Sequence, residues 1–321
     1  MYFTGYDFNT IPLWAPSMLE MTRRERTGVA YMHGALAGLA AVSIWAGNII
    51  VGSLGLRSSL TAWDITAIRF AVAGSLLAPL LAREGLALDR LGWLGVAALV
   101  LGGAPTVLLA NAGLLFAPAA HAGALFPGVM PLMTAILAAF ILKEAFTLEK
   151  RIGFALIGGG VAFIAWGSGV SLGASQTVGH LLFLGSALSF ACYTVALRRA
   201  GLGGLHAVAI SAVGSMLLYF PAYMVTAGLS MFDAPLSAIG LQAFVQGLLT
   251  AVISYIVYGR AISILGASSG AAFAASCPAM TALMAIPILG EWPTPIDWAA
   301  ILSISLGVYV VSGGPMPCRH A

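Results

Sequence analysis

Arg69 stands about eight residues into a long apolar stretch, roughly 12 Å deep if that stretch is a helix. A guanidinium at the centre of a membrane span costs about 2.5–3.5 kcal/mol on insertion scales, so it faces a bundle interior and finds a partner. Two chemistries fit. One is a clamp on a substrate carboxylate or phosphate, and the other is a structural hydrogen bond to carbonyls or a neighbouring helix. Asn48, Asn111 and His121 fall in the same broad layer as Arg69 once the helices are laid out, as a polar site or as helix–helix hydrogen bonding. The aromatic residues Trp45, Phe126, Tyr193, Tyr255, Tyr258 and Phe273 could wall an apolar cavity around a flat or cationic group, or could simply pack.

Composition sets the solvent in which these residues work. Of the 321 residues 60% are hydrophobic and 8% charged, and the mean hydropathy is +0.99. A soluble globule with so few charges could not cover its surface, so lipid is the predicted surrounding. The net charge of +3 comes with no basic tract, which argues against a nucleic-acid partner. Cys192, Cys277 and Cys318 lack metal-ligand or disulfide spacing, and no cofactor or metal is implied.

Ten apolar stretches are long enough to span, at 30–53, 61–82, 93–117, 119–142, 150–167, 178–200, 206–228, 238–263, 267–290 and 295–313. An N-terminal tail (1–29) and a C-terminal tail (314–321) flank two units, 30–168 and 178–313. With both termini in the cytoplasm, 12 of the 14 basic residues fall in cytoplasmic segments, which predicts that orientation in a plasma membrane.

The chain repeats itself at a shift of 147 residues. Ala120–Glu144 then lies over Ala267–Glu291 with twelve of 25 positions identical and no gap, among them Phe126/Phe273, Pro131/Pro278, Thr134/Thr281 and Glu144/Glu291. Shared Pro, Thr, Phe and Glu in register indicate a duplicated five-helix unit. Five is odd, so the second unit enters the membrane from the opposite side. Inverted repeats suit carriers that alternate two gates around a central site.

Pro131 and Pro278 each remove a helix hydrogen bond in mid-span, which predicts paired hinges for those gates. Glu144 and Glu291 read as structural. Each precedes a helix start, with Thr147 and Thr294 at the cap positions, and Thr294-Pro295-Ile296-Asp297 has the form of an N-cap.

These features resemble the drug/metabolite transporter superfamily, in particular its ten-helix type with two EamA repeats. SIWAGNII (Ser43–Ile50) is similar to the family's Trp-Gly-x-Asn pattern, and AIRFAVAG (Ala67–Gly74) to its Arg-Phe motif. Pro131 to Glu144 and Pro278 to Glu291 repeat its Pro-x12-Glu element, and ISLGVYVVSGG closes the last helix. The resemblance runs from about 33 to 313. It implies an all-α polytopic membrane protein of ten helices in two inverted repeats. It also implies a carrier, usually an exporter of amino acids, other metabolites or drugs.

Absences sharpen the expectation. Lys143 and Lys150 are the only lysines and neither follows Gly, so there is no Walker A sequence, and no ATPase subunit is implied. No carboxylate lies in the middle of a span, which favours uniport, exchange or coupling through another group over the scheme of a proton-coupled multidrug antiporter. An intramembrane serine hydrolase would need a Ser–His pair in mid-membrane, and His33, His121, His180 and His206 all fall near helix ends. No catalytic residue is assigned. A non-transporting scaffold would leave Arg69 without a reason for burial. The predicted partners are membrane lipid and a small-molecule substrate, with the chain acting as monomer or homodimer.

Overall fold

The computed structural model describes residues 23–143, 147–167, 175–228 and 230–312. Glu144, read above as structural, lies outside them. Fourteen α-helices follow one another: α1 (Arg23–Arg57), α2 (Ala62–Glu84), α3 (Leu88–Leu101), α4 (Ala104–Gly113), α5 (Ala119–Leu125), α6 (Met130–Ile141), α7 (Leu148–Gly167), α8 (Ser175–Ala200), α9 (Gly204–Ala227), α10 (Leu236–Gln242), α11 (Ser254–Leu265), α12 (Ala267–Ala275), α13 (Cys277–Leu289) and α14 (Pro295–Val311). A π-helix (Ala243–Ile253) joins α10 to α11, and no strand occurs among the described residues.

These elements make ten spans, because α3–α4, α5–α6, α10–π–α11 and α12–α13 are each one crossing broken or deformed within the membrane. Among the described residues seven helical stretches are long and apolar enough to cross a membrane, with Cys277–Leu289 and Pro295–Val311 as shorter apolar helices. The protein is an all-α polytopic membrane protein of two five-span repeats in opposite orientation. Ten crossings bring both ends to one face, called here the terminal face, and leave the other as the far face. α1 begins at Arg23, before the apolar stretch at Ala30.

The breaks in spans 4 and 9 are related by the repeat. α5 stops at Phe126 and α6 starts at Met130, while α12 stops at Ala275 and α13 starts at Cys277. Pro131 and Pro278 sit in the first turn of the second half-helix, where a missing N–H costs nothing. They therefore start new half-helices and do not kink continuous ones. Lys143 (φ 57°) and Gly290 (φ 71°), at equivalent positions after these spans, are both left-handed.

Glycines set the closest approach. A Cβ on Gly307 would lie 2.7 Å from Gly153 O, and one on Gly153 2.8 Å from Gly307 O, so α7 and α14 pack backbone to backbone. Two helix starts at the far face carry capping boxes. Thr61 and Asp64 form a reciprocal capping box on α2, and Thr294 and Asp297 form one on α14. Thr147 Oγ1 accepts from Lys150 N at 3.4 Å at the start of α7. Thr294→Ala is expected to cost about 1 kcal/mol, read as a lower thermal midpoint of the detergent-solubilised protein.

Candidate functional site

Arg69 is surrounded by α1, α2 and the π-helix. Its Nη1 donates to Asn48 Oδ1 and to Gln246 Oε1, each at 3.2 Å. Gln246 Nε2 donates to Gln242 Oε1 at 3.2 Å, and Gln242 Nε2 donates to Val51 O at 2.6 Å. A polar seam thus runs from mid-membrane along α1 toward the far face. Small residues on α1 make room for it: a Cβ on Gly52 would lie 2.9 Å from Asn111 Oδ1 and 3.3 Å from Gln246 Nε2. Asn48, Arg69 and Asn111 therefore share one site.

Local helix geometry presents Gln246. Its turn has i→i+5 pairing, a deformation found often at functional sites. Thr250 Oγ1 donates to Val245 O at 2.8 Å and Ser254 Oγ to Thr250 O at 2.7 Å, which satisfies two carbonyls of the widened turns.

Arg69 Nε and Asn111 Nδ2 at the seam are buried donors with no hydrogen-bond partner among the described residues, and so is Tyr193 OH, which lies further along α8 beside Gly102. Buried polar groups in folded proteins are nearly always paired, so these atoms stand out. The ion pairs found among the described residues do not include Arg69. Its two partners are neutral amides.

Aromatic side chains border the seam. Tyr255 lies within electrostatic range of both Arg69 and Tyr193. Trp45, one turn from Asn48, meets Tyr258 edge-on with ring centroids 4.9 Å apart. Phe126 reaches Tyr193 through Phe190, at 6.5 Å and then 5.0 Å. Phe273 stands further toward the terminal face, its ring 2.7 Å from where a Cβ on Gly38 would be. A groove of about 420 Å³ on that half, lined by Ala37, Ile256, Val257, Gly259, Arg260 and Ser263, does not contain Arg69.

The structure places His121 elsewhere. It lies at the far face, 3.0 Å from Asp297 Oδ1 through Nε2 and 3.0 Å from His180 Nε2 through Nδ1. Glu291 is close by. Its Oε1 accepts from Arg57 Nη2 at 2.6 Å and its Oε2 from the backbone N of Ala119 at 2.8 Å, while Arg57 Nη1 donates to Leu289 O at 2.7 Å. Glu291 thus caps α5 of the other repeat, not the helix that follows it. Together these bonds fasten spans 1, 4, 6, 9 and 10 at the far face.

The two halves of the molecule are not equivalent. α5 packs on α13, with a Cβ on Gly123 reaching Thr281 side-chain atoms at 2.7 to 3.0 Å. The repeat-related helix α12 rests instead on α11, α14 and α1, and its Gly270 faces Ile262. Thr281 and Pro278 are buried accordingly, whereas Thr134 and Pro131 are part-exposed.

Sequence reasoning missed Gln242, Gln246, the pairing of His121 with His180 and Asp297, and the Arg57–Glu291 pair. Two glutamines four residues apart inside an apolar span were the available signal, since uncharged amides are also costly in lipid.

Comparison with known proteins completes the site's context. An alignment with the uncharacterized transporter YyaM of Bacillus subtilis (strain 168) runs at 27% identity over 206 residues, 60% of this chain and 64% of that protein. The chain thus spans just under two thirds of that relative's length. A solved crystal structure superimposes with a TM-score of 0.54 at 18% identity, over 86% of this chain and 95% of the other, and so shares the fold. The sequence model of the EamA-like transporter family matches twice, over residues 32–166 and 177–313, one match for each five-span repeat. On those two matches, which together cover most of its length, the chain belongs to the EamA-like transporter family.

Proposed function

We propose that the protein is a secondary carrier that exports small carboxylate-bearing metabolites, amino acids foremost, by alternating access between its two repeats. The observation that carries this reading is Arg69, a half-buried cation held by two neutral amides and with its buried Nε unpaired. A buried charge without a countercharge is costly. An incoming carboxylate supplies both the missing charge and the missing acceptors, and a guanidinium takes it bidentately. Asn111 Nδ2, unpaired beside the same seam, adds a donor for the ligand.

The Lys/Arg distribution favours a cytoplasmic terminal face in a plasma membrane, the inner membrane of a bacterium. With the far face fastened and α12 drawn away from α6, loading is from the cytoplasm, which suits export. A second reading, efflux of flat drug-like molecules, draws on the Trp45–Tyr258 pair beside the seam.

Expressing the chain in cells and profiling the medium tests the proposal. An amino-acid class should accumulate with the wild type and not with empty vector. Identical profiles would overturn export of common metabolites, and accumulation of aromatic drugs alone would favour the second reading.

A further inference from the structure

The far face holds a chain of titratable groups that the substrate site does not use. Asp297, His121 and His180 come from α14, α5 and α8, and both links are 3.0 Å. The side chains of His121 and Asp297 are 6% and 14% exposed, and His180 is 9% exposed. We propose that these three residues form a proton-binding site whose occupancy fastens the far face, and so name the proton as the coupling ion of the carrier; the coupling, though not the site itself, rests on the carrier reading above.

The hydrogen-bond pattern supports a site and not merely a brace. Asp297 accepts from Thr294 N at 2.8 Å and Thr294 Oγ1 at 2.8 Å through Oδ2, as an ionised capping carboxylate does. His121 Nε2 must then carry a hydrogen to face Oδ1. With two protons on the histidine pair, His121 Nδ1 accepts from His180 Nε2–H, and the trio has a net charge of −1. A third proton arriving at His180 Nδ1 lets the Nε2 hydrogen pass to His121 Nδ1. His121 becomes an imidazolium donating in both directions, His180 Nε2 becomes the acceptor, and the trio is neutral. One N–H bond forms for each proton bound, and no heavy atom has to move. His180 also borders a mostly apolar cavity of about 150 Å³ with Leu125, Val161, Ile164, Thr177 and Leu184.

The surroundings define the charge balance. α8 supplies His180 and α14 supplies Asp297. The link before α14 supplies Glu291, which caps α5 at Ala119 N and is paired with Arg57 at the end of α1. α13 faces α5 with Thr281, one turn from the Cys277 thiol, and α7 adds apolar Ile157 and Ile164 to the same core. The Glu291 charge is matched by Arg57, whereas Asp297 is matched only by the proton on the histidine pair.

α5 is the segment that must leave α13 if the far face opens, and opening parts His121 from Asp297. The closed state therefore binds the proton more tightly, and by reciprocity acid favours closure. At the repeat-related gate the residue types differ at two of the three positions. The same shift of 147 residues places His33, Ser268 and Lys150 at the positions of His180, His121 and Asp297.

The test has two arms, with Thr294→Ala as a control that loses the cap and keeps the chain of groups. In the purified protein, ¹⁵N resonances of the two imidazoles should titrate as a coupled pair, and in Asp297→Asn they should hold the proton at least tenfold less tightly, the effect of losing a countercharge at this range. In proteoliposomes, amino-acid flux should respond to an imposed pH gradient in the wild type and Thr294→Ala. His121→Gln and His180→Gln should retain amino-acid exchange at equal pH and lose the response to the gradient. Independent titrations unchanged by Asp297→Asn would overturn the proton site. A wild-type flux indifferent to the gradient would overturn the coupling. Absence of any wild-type flux would instead tell against the carrier reading, and the imidazole titration still decides the site.

Discussion

Arg69→Ala lowers transport by about thirtyfold or more at matched expression, the kinetic equivalent of the 2 kcal/mol or more lost when one member of a buried charged hydrogen-bonded pair is truncated. The loss falls on KM as well as on the maximal rate, because the missing group binds substrate. Arg69→Lys keeps the charge but not the planar fork, and should recover part of the flux with a raised KM. A brace between α1 and the π-helix behaves differently. If the hydrogen bonds to Asn48 Oδ1 and Gln246 Oε1 were all that Arg69 provides, Arg69→Ala would lower the thermal midpoint and leave the KM of the surviving protein unchanged. Substrate analogues sharpen the distinction. The wild type should prefer an amino acid to its carboxamide, and Arg69→Gln should transport the two about equally, since an amide side chain does not distinguish them by charge. Equal preference in the wild type would remove Arg69 from the role of carboxylate ligand.

Much of the architecture could be read from the sequence because lipid permits few solutions. Apolar runs had to be helices, and Pro, Thr, Phe and Glu kept in register had to mean duplication. Arg69 stood out for the same reason, as a charge where none is cheap. What stayed hidden was pairing across spans. Gln246 lies far along the chain from Arg69, and only a π-helix turns it toward the guanidinium. Asp297 was explained by its own helix start, which concealed that its other oxygen faces His121. His180 was one of several histidines near span ends, and nothing local to it points to His121. Glu291 was read against the helix that follows it, but its partners belong to spans 1 and 4. The helix breaks were half visible. The prolines marked the places, but Pro131 and Pro278 fit equally a kink within a helix and the first turn of a new one.

The inequality between the repeats yields the other large effect. In a background where Cys192, Cys277 and Cys318 are replaced, Gly123→Cys with Thr281→Cys should cross-link readily under mild oxidant. A Cβ on Gly123 would lie 2.7 Å from Thr281 Cβ, and a separation of about 1 Å more reaches disulfide geometry. The bond would pin α5 to α13, hold the far face shut and abolish transport, and a reductant should restore it. The repeat-related pair, Gly270→Cys with Thr134→Cys, is the informative control, because α12 rests on α11, α14 and α1 in this conformation. That pair should cross-link slowly alone and faster once the far face is loosened, either by substrate or by Arg57→Ala, which frees Glu291 from one of its two partners. Two gates that exchange roles require these yields to move in opposite directions. If both pairs cross-linked at the same rate, or if the Gly123–Thr281 cross-link left flux intact, the two repeats would not be alternating gates, and the fastening of the far face would be static packing.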